Sequence, residues 1–84
     1  MIFVDEIRYY NTNLKFKYLC HMWTDGTDDE LHEFAEKLGL KRSWCQEKKR
    51  FRHYDLVRSK RELAIKNGAK ELSLKEWLKK LRNE

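Results

Sequence analysis

The chain has 84 residues, 40% of them hydrophobic and 39% charged, with a net charge of +5; that is enough for one domain, residues 1–84, with a thin core. Three Trp, four Tyr and four Phe exclude a disordered chain, and the absence of any run of about 18 apolar residues excludes a membrane-spanning helix. The opening "MIFVDEIRYY" lacks the basic and apolar regions of a signal peptide, so a cytoplasmic protein is expected, with its two cysteines, Cys20 and Cys45, as free thiols.

The first predicted element is a buried strand at "IFV", Ile2 to Val4. A second, "FKYLCHMWT" at Phe16 to Thr24, is β-rich and aromatic and can return as a hairpin through "NTN", Asn11 to Asn13. Three helix starts then share the pattern Ser/Thr-x-x-Glu: "TDDE" from Thr27, "SKRE" from Ser59 and "SLKE" from Ser73. In that pattern the hydroxyl accepts from the third helical amide and the Glu reaches back to the cap amide. The first helix carries Leu31, Phe34, Ala35 and Leu38 at helical spacing, and the last carries Leu74, Trp77, Leu78 and Leu81. The second, Ser59 to Asn67, has only Leu63, Ala64 and Ile65. Gly39 and Gly68 each follow a helical segment, where a left-handed residue ends the helix. "SWCQ" is a weak strand signal, and "AKELS", Ala69 to Ser73, fits a brief strand. Strands alternating with helices give an α/β or α+β fold, a small sheet covered by three helices.

Charge is unevenly distributed. Residues 1–36 hold three cations against eight acids, and residues 37–84 hold sixteen against six. The run "KRSWCQEKKRFRHY" interleaves cations with aromatics, a composition that suits stacked bases and paired phosphates. The binding candidates are Lys48, Arg50, Arg52, Lys60 and Arg61 for charge, Trp44 and Tyr54 for stacking, and His53 with Asp55 for directional hydrogen bonds. The expected partner is a nucleic acid, a nucleotide or another phosphate-bearing molecule; an acidic protein would meet the same charge. Gly68, four residues after Ala64, also allows a helix-turn-helix reading, although the six residues from Gly68 to Ser73 are long for its turn.

The rival reading is catalytic. His53 and Asp55 lie two apart and share a face if they sit on a strand. His21 and Asp25 flank the end of the aromatic strand, and Asp5 ends the first one. Convergence of His21, Asp25, His53 and Asp55 would build a site for Zn²⁺, Mn²⁺ or Fe²⁺, as in a small metal-dependent hydrolase. No pair of ligands at i, i+3 or i, i+4 announces such a site, so it requires tertiary convergence. His32, beside Leu31, is expected to face solvent. Cys45 has cations nearby but no sequence-local base.

"MIFVDE", "HMWTD", "WCQ", "HYDL", "SKR" and "GA", together with Leu31, Phe34-Ala35 and Leu38-Gly39, resemble a short bacterial and phage family, domain-of-unknown-function family 4031. The resemblance covers nearly the whole chain and implies a compact α/β domain, with no established activity. An accessory protein of phage type that binds a host protein is a third reading. The leading expectation is a binding protein for a polyanion, without a cofactor.

Overall fold

The aromatic segment predicted as the second strand is the centre of the sheet. The computed structural model describes residues 1–10, 17–46 and 52–82. Its strands are β1 (Ile2–Val4), β2 (Arg8–Tyr9), β3 (Tyr18–Thr24), β4 (Tyr54–Leu56) and β5 (Lys70–Glu71), and its helices are α1 (Asp28–Lys37), α2 (Arg58–Lys66) and α3 (Leu74–Arg82), with a 3₁₀ turn at Arg42–Trp44. The turn predicted at Asn11 to Asn13 lies outside the described residues.

β3 pairs antiparallel with β1 and β2 and, at its other edge, with β4; β5 adds parallel to β1. The sheet is mixed and the fold is α+β. The strand at "AKELS" forms as expected, whereas "SWCQ" becomes the 3₁₀ turn followed by a lone bridge from Gln46 to His53. Because β5 lies between α2 and α3 and hydrogen-bonds into the sheet, the helix-turn-helix reading is excluded.

Pairing register assigns the faces. Ile2 opposes Thr24 and Val4 opposes Met22, while Cys20 opposes Leu56 and Met22 opposes Tyr54. Opposed residues share a face, and successive residues alternate. Ile2, Val4, Cys20, Met22, Tyr54 and Leu56 therefore line one face, where they form the core with Leu31, Phe34, Ala35 and Leu38 of α1 and Ala64 of α2. The other face carries Phe3, His21, Trp23 and Asp55. Trp77 of α3 covers its apolar end, with ring centroids 5.5 Å from Phe3 and 6.3 Å from Trp23.

Between β1 and β2 the register slips by one. Val4 opposes Met22, yet Arg8 opposes Leu19, so three residues, Asp5 to Ile7, face two. This is a β-bulge, which bends a strand and re-aims its side chains. It brings Arg8 onto the face that holds His21.

The helix starts differ from one another. Thr27 caps α1, its hydroxyl accepting from the Glu30 amide at 3.2 Å, but Glu30 turns its carboxylate to Thr24 at 3.0 Å rather than back to the cap. Ser73 accepts from the Glu76 amide at 3.4 Å. Ser59 caps nothing: α2 begins a residue earlier, after Val57, with no side-chain cap. Gly39 and Gly68 end α1 and α2 at φ +83° and +109°. Among the described residues, no helix is long and apolar enough to cross a membrane.

Candidate metal centre

A row of polar side chains crosses the second face. Asp55 lies directly opposite His21 in the β3–β4 ladder. His53 sits two residues before Asp55, and its backbone is bridged to Gln46. The rings of His21 and His53 meet edge to face at 5.1 Å. One ligand atom each from His21, His53 and Asp55 lies within 4.8 Å of the other two.

The partners of these groups select the atoms that face one another. Asp5 takes His21 Nδ1 at 2.9 Å through Oδ2 and accepts the His21 amide at 2.6 Å through Oδ1. This fixes the ring and leaves its Nε2 available. Gln46 donates from Nε2 to Asp55 Oδ2, leaving Oδ1, which stands 3.7 Å from His53 Nε2. Carboxylate-braced histidines and hydrogen-bonded carboxylates are the usual support of metal ligands.

Two imidazoles and a carboxylate suit Zn²⁺ or another borderline first-row ion, and three protein ligands are the number found where a fourth position stays open. Around zinc, bonds of about 2.0–2.1 Å put ligand atoms roughly 3.3 Å apart. The observed spacing therefore requires a modest side-chain closure. The same bonds shape the electrostatics. The Asp5 carboxylate raises the His21 pKa above its ordinary value, and burial opposes it only in part. The neighbouring Tyr10, whose ring stands edge-on to His21 at 5.6 Å, has its phenol pKa raised by burial and by Asp5.

Other sequence candidates are placed elsewhere. Asp25 lies beyond the far end of β3 and bonds the Met1 amine at 2.9 Å, so it is not part of the cluster. Tyr54 is 1% exposed and belongs to the core; with its ring sealed there it has no face for stacking, because its position on β4 points it at the helices. Its hydroxyl meets His32 Nδ1 at 2.7 Å, so His32 is half-buried and bonded rather than solvent-facing. Lys60 donates to the Leu38 carbonyl at 2.5 Å and ends α1. Arg61 donates to the Asp5 carbonyl at 2.7 Å and to Glu71 at 2.8 Å. Arg52 pairs with Asp28. Trp44 is 53% exposed, with Lys41 Nζ 5.7 Å from its ring centroid. Lys48 and Arg50 lie outside the described residues. Cys20 is buried on the core face, its thiol pushed up to about 12 chiefly by burial; it is an inert core thiol.

Asp5 could be suspected from its place at a strand end, but Gln46 could not: it reaches Asp55 only through a bridge that no local pattern announces. Arg8 and Tyr10 depend on the bulge.

The profile of a family described as a protein of unknown function (DUF4031) matches residues 2–84 of the chain. No curated protein and no solved structure matches it significantly.

Proposed function

The chain belongs to the DUF4031 family, and we propose that it is a small metal-dependent hydrolase whose ion is held by His21, His53 and Asp55. One observation carries the reading: a ligand atom of His21 on β3, one of Asp55 on β4 and one of His53, the bridged residue before β4, lie within 4.8 Å of one another, with Asp5 bonded to the other ring nitrogen of His21 and Gln46 to one oxygen of Asp55. Here two imidazoles and a carboxylate share one small space. An ion with an open position would lower the pKa of a bound water and supply the nucleophile of hydrolysis.

Metal analysis tests this. Chain dialysed against Zn²⁺ or Mn²⁺ should retain one ion, and His53→Ala should lose it while an exposed control, Lys37→Ala, keeps it. Absence of stoichiometric metal near pH 8, or its retention in His53→Ala, overturns the reading. Hydrolysis of generic esters and phosphoesters should then stop with a chelator and resume with metal.

Polyanion binding is the second reading, favoured by the exposed Trp44 with Lys41 over its ring. Arg42 and Arg58 are exposed as well. It predicts that single-stranded oligonucleotides bind with an affinity that falls steeply between about 50 and 200 mM salt and weakens in Trp44→Ala. Arg52, Lys60 and Arg61 have fold-supporting partners, so this reading rests on the 3₁₀ turn and its surroundings.

A further inference from the structure

A cavity of about 310 Å³ opens beside His21, between the bulge and the start of α3. Its size is at the lower end of small-molecule sites. Two cations reach it from separate elements, Arg8 of β2 and Lys75 of α3. Arg8 is there because the register slip moves it onto the His21 face. Tyr10, Leu74 and Leu78 also line it and supply its apolar surface.

Two acids also border it, Asp5 and Glu6. Asp5 is already engaged, both oxygens being bound to His21. Glu6 is exposed and lies within the bulge. Besides the Glu6 carboxylate, the groups a ligand would meet are an arginine fork, a lysine, Ser73, the side chains of Tyr10, Leu74 and Leu78, and the ring of His21, one of the three candidate ligands. A guanidinium matches the oxygens of a phosphate two at a time, and an ammonium adds a point charge.

We propose that this cavity receives a small phosphomonoester, its phosphate between Arg8 and Lys75 and its organic part against Tyr10, Leu74 and Leu78. The inference rests on the metal reading for the chemistry and on the cavity for the ligand. It assigns Arg8 and Lys75 to substrate binding, and it gives the bulge a purpose in aiming one of them.

Phenylphosphonate, which has a phosphate-like head, an aromatic body and no ester bond to cleave, provides the test. Calorimetric titration of the zinc-loaded chain should give one bound phenylphosphonate. The double variant Arg8→Ala/Lys75→Ala should bind it at least about tenfold more weakly, with zinc content and circular dichroism unchanged, both residues being exposed. Leu78→Ala should weaken phenylphosphonate while leaving inorganic phosphate nearly unaffected. Equal affinity in the double variant with zinc retained overturns this inference and leaves the metal reading standing. Should the wild-type chain hold neither zinc nor manganese, the metal reading falls, and titration of the metal-free chain decides the cavity alone. Loss of binding in the double variant then upholds an anion cavity, and no binding by either protein overturns both.

Discussion

Asp5 commits two oxygens to one histidine, and that bond governs how the site responds to pH. The carboxylate raises the His21 pKa in the folded chain above its ordinary value of 6.5. The protonated pair therefore adds stability that is fully present below about pH 6.5 and is lost as pH rises through the higher folded value. Urea midpoints should fall over that window in the wild-type chain, and the fall should flatten in Asp5→Asn. Metal binding should run the other way, strengthening as His21 gives up its proton. Asp5→Asn should lower zinc affinity about tenfold or more, the usual loss when a histidine ligand loses its carboxylate brace. At this scale the sequence was partly legible. His53 and Asp55 could be placed on one face from their spacing alone, because strand alternation is local. That Asp55 would stand opposite His21, with Asp25 far away, depended on pairing register. Tyr54 read as a surface aromatic beside a basic run, but its parity on β4 turned it into the core.

The helix starts separate a local signal from its realisation. Thr27 and Ser59 head the same four-residue pattern, yet only Thr27 accepts a hydrogen bond from its helix. Thr27→Ala should cost about 1 kcal/mol, and Ser59→Ala should be close to neutral, as measured by urea denaturation. α2 starts early because the chain leaves β4 directly into it, which moves Ser59 inside the first turn. Gly68 gives a second contrast. A Cβ there would meet nothing within 4 Å, but φ is +109°. Gly68→Ala should therefore destabilise by about 1 kcal/mol through backbone strain alone. The glycine positions and two of three caps were readable, since each needs only neighbours in sequence. The bulge was not: Asp5 to Ile7 contain no glycine to mark it, and it exists only as a mismatch between two registers.

Over the whole molecule, the three helices divide unequally between the two sides of the sheet. α1 and α2 close the main core, while α3 covers the second face through Trp77 against Phe3 and Trp23. Trp77→Ala should cost about 3 kcal/mol, the lower end for a large aromatic because the residue is only half-buried. Thermal melts would measure it, and near-ultraviolet dichroism should show the loss of aromatic packing. The layered arrangement of helices and strands was visible in the order of predicted elements. Which side α3 would occupy was not, because its apolar stripe fits either face. The division of labour across the pleat has a consequence for how such a chain can change over generations. Along β3, Cys20 and Met22 pack into the core, while His21, between them, faces the polar row on the other side. Neighbouring codons are thus under unrelated demands. Exchanges on the core face must conserve volume, whereas the polar end of the other face can trade its side chains without disturbing that packing, provided Phe3 and Trp23 stay under Trp77.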